Sequence, residues 1–220
     1  MVIGGEALFD GGTLLAYCLA ATALVLAPGP GQALVIARSI EGGTRSGILT
    51  SLGLEIGTLV HTLAAALGLS AVLASSATAF TVVKYAGAAY LVVLGLLAFR
   101  QARRSTGAVV AAPPMNAHAG SRLVLHAAVT GALNPKVAVF FLAFLPQFVK
   151  PERGAVLAQF VALGLILAVL GFAFDSLVAA TAGRARARLL ASARFAAWRE
   201  RLTGAVLIAL GLRLALGERR

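Results

Sequence analysis

Four ionisable side chains, Glu55, His61, Lys136 and Asp175, stand inside stretches that are otherwise apolar. At the centre of a membrane helix a charged group costs at least about 2.5 to 3.5 kcal/mol, so such groups pair, line a cavity or serve transport. Their types suit a zwitterion. A lysine faces a carboxylate, and an aspartate faces an ammonium group or exchanges a proton. Lys136 paired with Asp175 or Glu55 purely to lock helices is the structural alternative. His61 titrates near physiological pH and offers a proton relay, although a hydrogen-bonded packing group is the commoner use of such a histidine. Glu55 completes the set of proton-coupling candidates with Asp175 and His61. Lys84 and Arg213 lie near the ends of apolar runs, where snorkelling to the interface accounts for them.

One of these groups directly follows a helix breaker. A proline inside a helix removes one backbone donor and clashes one turn back, so Asn134-Pro135 frees the carbonyl of Gly131 just before Lys136. Ala27-Pro28-Gly29-Pro30 frees those of Leu24 and Leu26 in the same way. Irregular backbone at membrane depth is tolerated only inside protein or around a water-filled cavity. Half-helix N-termini then hold a carboxylate, and freed carbonyls hold an ammonium group or cation. Pro28, Gly29 and Pro30 thus shape one half of a substrate site. Asn134, Pro135 and Lys136 shape the other, with Asp175 as the acid.

The elements that must carry these residues are membrane spans. Of 220 residues 60% are hydrophobic and only 12% charged, against roughly 25% charged in soluble domains. That composition excludes a soluble enzyme and a disordered tail. Six runs are long enough to cross about 30 Å of hydrocarbon, and they place helices at 13–37, 47–73, 80–99, 123–149, 154–181 and 202–217. A Pro- and Arg-bearing segment, 100–122, separates two groups of three. The expected fold is a single all-α transmembrane domain, 1–220, with one repeat over 13–99 and another over 123–217. Three spans per half make the repeats inverted, so the breaks in helices 1 and 4 correspond across a midplane site.

The formal charge of +11 invites a nucleic-acid partner, but its distribution reads as membrane orientation. Alternating spans put twelve Lys and Arg in loops 38–46, 100–122 and 182–201, against four on the other side. The basic loops belong in the cytoplasm and both termini outside. Segment 184–201 serves as that signal or as an amphipathic helix on anionic lipid. No Lys or Arg precedes Arg38, so the first apolar run lacks the basic start of a cleaved signal and is expected to stay. The single cysteine, Cys18, supports neither a disulfide nor a paired-cysteine metal site. Gly53, Gly57 and His61 share one face of helix 2, which suits internal packing or a homodimer equally. Glu55 points about 160° away from that face, toward a cavity or the interface.

These stretches resemble the LysE/RhtB amino-acid exporter superfamily, most of all its RhtB homoserine/threonine efflux branch. Carrying the resemblance are Ala27-Pro28-Gly29-Pro30-Gly31-Gln32, Gly43-Thr44-Arg45-Ser46-Gly47, Leu52-Gly53 with Gly57 and His61, and Ala66-Leu67-Gly68-Leu69-Ser70. Lys84-Tyr85-Ala86-Gly87-Ala88-Ala89-Tyr90-Leu91, Asn134-Pro135-Lys136, Phe144-Leu145-Pro146-Gln147-Phe148 and Arg201-Leu202-Thr203-Gly204 continue it over nearly the whole chain. Gly31 departs from the pattern, standing where many relatives carry Asn; Glu55 stands where the position is often uncharged. The resemblance implies export of small neutral amino acids or close derivatives across the bacterial inner membrane, driven by protons, with no cofactor. No phosphate-binding Gly-rich loop with Lys-Ser/Thr is present. Alternatives are a metal-cation exporter of the same superfamily, for which ligands are few, and a noncatalytic membrane subunit. A membrane-embedded enzyme lacks a His-Glu-x-x-His run or comparable set.

Overall fold

A computed structural model describes residues 2–3, 6–27, 29–75, 77–104, 120–182 and 193–216. After a ladder pairing β1 (Val2–Ile3) with β2 (Glu6–Ala7), the described chain is helical. In order come α1 (Gly11–Leu26), α2 (Pro30–Ser75), α3 (Ala77–Arg104), α4 (Gly120–Ala132), α5 (Pro135–Val139), α6 (Val156–Thr181) and α7 (Ala193–Leu216). A π-helical turn, Phe140–Phe144, and 3-10 turns at Leu145–Phe148 and Pro151–Arg153 join α5 to α6.

The hydrogen-bonded run of α2 folds back on itself. Gly43 has φ 77° and ψ 178°, a conformation that side chains rarely permit. A Cβ on Gly31 would lie 3.2 Å from a methyl of Leu54, and one on Gly47 would fall on Ser39. Along a straight helix those pairs would be about 34 and 12 Å apart. Two antiparallel legs, 30–42 and 44–75, therefore meet at Gly43. The expected loop 38–46 is helical except at this residue. Its polar side chains do not open it, because Ser39 donates to the carbonyl of Val35 and Ser46 to that of Gly42.

Other boundaries also move. α3 starts at Ala77 and continues to Arg104, five residues into the expected loop 100–122, and α4 begins at Gly120. The polar stretch 74–78 is helical on both sides of Ser76. α7 begins at Ala193, inside the expected loop 182–201, and so takes up Arg194, Trp198 and Arg201. Residues 105–119 and 183–192 of those loops lie outside the described residues, as do Pro28 and the last four residues. By length and apolarity three described helices can cross a membrane, or four if the α4–α5 pair, bent by 46°, counts as one span.

The second leg of α2 packs between α4 and α6, and α3 packs on α7. Glycines permit the first contact: a Cβ on Gly57 would strike the backbone of Gly131 and Ala132, and one on Gly53 that of Val124. The glycine face of helix 2 is thus used inside the protomer. Two apolar clusters follow. The larger is aromatic, with Tyr17, Phe140, Phe141, Phe144, Phe148 and Phe160 all buried and the Tyr17 hydroxyl donating 2.7 Å to the Leu163 carbonyl. The smaller gathers Val35, Ile36, Leu54, Ala127, Val178 and Ala179.

Contacts sort the connections into two ends. Near Gly43 meet Gly47 with Ala179, and Gly120 with Leu49. At the opposite end Asp10 caps α1 through the Thr13 N–H and forms ion pairs with Lys150 and Arg153. Lys150 holds Asp10 well below the usual carboxylate range, with the Thr13 N–H helping. Fully buried Gln159 pins the 150–154 segment, accepting from the Lys150 N–H and donating to the carbonyls of Lys150 and Gly154.

Candidate functional site

The cavity begins with two interruptions of the backbone. α1 stops at Leu26, Ala27 is extended at φ −65° and ψ 118°, and α2 restarts at Pro30, where a missing N–H costs nothing. Between α4 and α5, Asn134 is extended at φ −75° and ψ 108°, its side chain accepts from the Lys136 N–H at 3.1 Å, and Pro135 opens α5. A void of about 590 Å³, counting the part open to the outside, lies where these breaks face each other.

Four elements line it. From the first break come Leu24, Val25, Gly29, Gly31 and Gln32; from the second leg of α2, Leu54, Glu55 and Thr58. The second break supplies Gly131, Asn134, Lys136 and Val137, and α6 supplies Leu167, Gly171 and Asp175. Of the residues singled out in the sequence, Gly29, Glu55, Asn134, Lys136 and Asp175 meet here. Pro30 and Pro135 are helix-starting residues outside the lining, and Pro28 lies outside the described residues. His61 is not in the lining either. Its ring stacks on Phe141 at 6.0 Å and faces the carbonyls of Gly131 and Ala132, behind the second break.

Lys136 ties the two breaks together. Its ammonium donates 2.9 Å to the Leu24 carbonyl and 2.6 Å to the Ala27 carbonyl. The sequence expects Leu24 and Leu26 to be freed; the extended Ala27 presents its own carbonyl in place of the second. Among the described residues neither Glu55 nor Asp175 comes within 4.0 Å of Lys136 as an ion pair. The three ionisable groups share one cavity without a pairwise ion bridge. Asp175 is only 9% exposed, and the Thr58 hydroxyl stands beside the Glu55 carboxylate.

This arrangement can receive a small molecule with both charges. Lys136 keeps a third N–H, and the first turn of α2 offers the N–H groups of Gly31 and Gln32 to an anion. Glu55 and Asp175 offer acceptors to an ammonium group. Among the described residues no three His, Cys, Asp or Glu gather as metal ligands. Gly171, Thr58 and Gln32 were not legible as site residues. The one available signal for Gly171 was a small residue four positions before a buried acid, on the same helix face.

Comparison with known proteins gives a single direction. The model of the LysE type translocator family matches residues 22–218. An uncharacterized membrane protein of Vibrio cholerae is 36% identical over 75% of this chain and 80% of its own length. The homoserine/homoserine lactone efflux protein of Salmonella typhimurium is 35% identical over 68% of this chain and 70% of its own. The leucine efflux protein of Klebsiella pneumoniae is 28% identical over 91% and 93%. No solved structure matches significantly.

Proposed function

We propose, for a chain that belongs to the LysE type translocator family, that it is a secondary transporter exporting amino acids or close derivatives from the cytoplasm in exchange for protons. The family is one of translocators, not enzymes, and relatives bear the names of amino-acid efflux proteins. The observation that carries the reading is the cavity bounded by both broken segments and holding Lys136, Glu55 and Asp175. Broken helices facing one another at a buried charged site are the construction expected of an alternating-access carrier.

In this reading α1 with the first leg of α2 forms one broken span and α4 with α5 through Phe148 the other. The second leg of α2, α3, α6 and α7 complete six spans in two inverted repeats. The end at Gly43, rich in arginine, faces the cytoplasm of the bacterial inner membrane, and both termini lie outside. Gly29 lines the first wall of the site, with Pro30 restarting the helix behind it; Asn134 lines the second, where Pro135 opens α5. The substrate carboxylate meets the third N–H of Lys136 and the start of α2, while Asp175 takes the ammonium group. Rocking of the two halves about this site exposes it alternately, and Asp175, with Glu55 or His61, carries the coupling proton. Partners are the amino acid, protons and lipid; a homodimer would have to use a face other than Gly53 and Gly57.

The test is efflux. Cells with and without the protein are loaded with dipeptides, and each released amino acid is followed inside and outside over time. External accumulation of one or a few amino acids, abolished by an uncoupler and by Lys136→Ala at equal membrane expression, is the expected result. No protein-dependent release of any amino acid would reject the exporter.

A further inference from the structure

One buried hydroxyl of α2 is unlike the others. Ser39, Ser46, Thr50, Thr58 and Thr62 each donate to the carbonyl four residues back, the usual use of a buried serine or threonine in a helix. Ser51 does not. It is fully buried, and its Oγ has no hydrogen-bond partner among the described residues. What it faces follows from the register of the second leg of α2 on α6. Gly47 packs against Ala179, the Glu55 carboxylate lies over Gly171, and Thr62 lies over Gly164. Each step forward along one helix is thus a step back along the other. Ser51, midway between 47 and 55 on one face, is therefore level with Asp175, midway between 171 and 179 on the facing one. Asp175 is about nine-tenths buried, lines the cavity, and has neither an ion pair nor a hydrogen-bond partner among the described residues. Two polar groups without partners stand opposite each other between two close helix contacts.

We infer that Ser51 is a positioning residue for Asp175, pairing with its carboxyl group on the return leg of transport, when no substrate ammonium is present. The inference rests on the proposal that this cavity is the substrate site of a proton-coupled exporter, and it adds a residue to that site. With substrate bound, Asp175 faces the ammonium group; with the cavity open, water serves it. Neither is at hand while the empty cavity passes from one side to the other, and a buried polar group left without a partner is costly. A hydroxyl suits that moment in either protonation state. It donates to Asp175 as a carboxylate and accepts from it as an acid, so the pairing does not depend on where the proton stands. Rotation about χ1 alone redirects the Ser51 Oγ, and no bond to its own helix has to break first. The other polar groups of the cavity are engaged elsewhere. Glu55 is seated on Gly171 beside the Thr58 hydroxyl, and Lys136 commits two N–H groups to the carbonyls of Leu24 and Ala27.

The test separates the empty carrier from the loaded one. The full chain is reconstituted into liposomes loaded with a mixture of the labelled protein amino acids and L-homoserine. Net efflux is followed with the receiving side acidic, and exchange is followed with the same unlabelled mixture at equal concentration on both sides. Net efflux requires the carrier to return without substrate, whereas exchange crosses loaded in both directions. In Ser51→Ala, which removes the hydroxyl and little volume, net efflux should fall about tenfold, as the loss of one hydrogen bond to a buried carboxyl group allows. Exchange should stay at the wild-type rate. Thr50→Ala removes a neighbouring buried hydroxyl that is bonded to its own helix, and should leave the ratio of the two rates unchanged. Ser51→Thr keeps the hydroxyl and should restore net efflux if the added methyl group fits; Ser51→Ala against Thr50→Ala decides the matter if it does not. Net efflux and exchange that fall together in Ser51→Ala, or that both stay unchanged, would overturn the inference while leaving the exporter standing. Wild-type protein that moves no amino acid in either assay would remove the exporter and the inference with it.

Discussion

The two helix breaks solve one problem in different ways. Asn134 caps the second break locally, its side chain accepting the Lys136 N–H at 3.1 Å while Pro135 starts the next helix. The first break has no such cap in its own sequence. Its freed carbonyls, those of Leu24 and Ala27, are satisfied by an ammonium that lies 112 and 109 residues away in the chain. One interruption is self-sufficient, and the other depends on its counterpart. A cation held this way couples the two breaks. Any movement of α5 relative to α1 must break two charge-assisted bonds or carry the first break along with it. That is the mechanical link an alternating-access carrier needs between its halves.

The largest expected effect comes from cutting that link. Lys136→Ala leaves two buried carbonyls without donors, at about 1–3 kcal/mol each, and should abolish efflux. Thermal unfolding in lipid nanodiscs and whole-cell efflux measure the two consequences separately. Next is Gly57→Ala, which pushes a methyl group against Gly131 and Ala132 beside the second break only. A loss of about 1–3 kcal/mol is expected, with the first break intact. Hydrogen exchange should then speed up in α4 and α5 ahead of α1. Asn134→Ala removes the local cap, for about 1 kcal/mol, and should slow efflux several-fold without abolishing it, since Lys136 still spans the breaks.

The smallest effect lies away from both. Asp10 is held below the usual carboxylate range by Lys150 and Thr13, so its stabilising contribution is complete above about pH 4 and is lost as the pH falls through its lowered value. Asp10→Asn should melt slightly below wild type at pH 6, and the gap should close on acidification. A gap that widened with acid would reverse the sign of the argument.

Much of this was legible because breakers and buried charges announce themselves in apolar sequence. Gly29, Asn134, Lys136 and Asp175 are conspicuous for that reason, and all four line one cavity. Less was legible where the signal is contact between distant segments. Nothing local says that Lys136 reaches the Leu24 carbonyl, or that Gly171 makes room for Glu55. The polar run from Arg38 to Ser46 looks like a loop, yet serines bonding back to the preceding turn keep it helical on both sides of Gly43. The observed helices run past their expected ends into the loops for a related reason: arginines at 100–104 and 193–201 extend helices as readily as they orient them.

The central claim is that an exported amino acid or its derivative occupies the space between the breaks. It is tested most directly by introducing Gly31→Cys into a Cys18→Ala background and following its reaction with a small thiol reagent in lipid nanodiscs. The ligand identified by efflux should slow labelling at position 31 in a saturable way and leave unchanged a cysteine introduced at exposed Leu157. Labelling at position 31 that is indifferent to every exported compound would contradict the account.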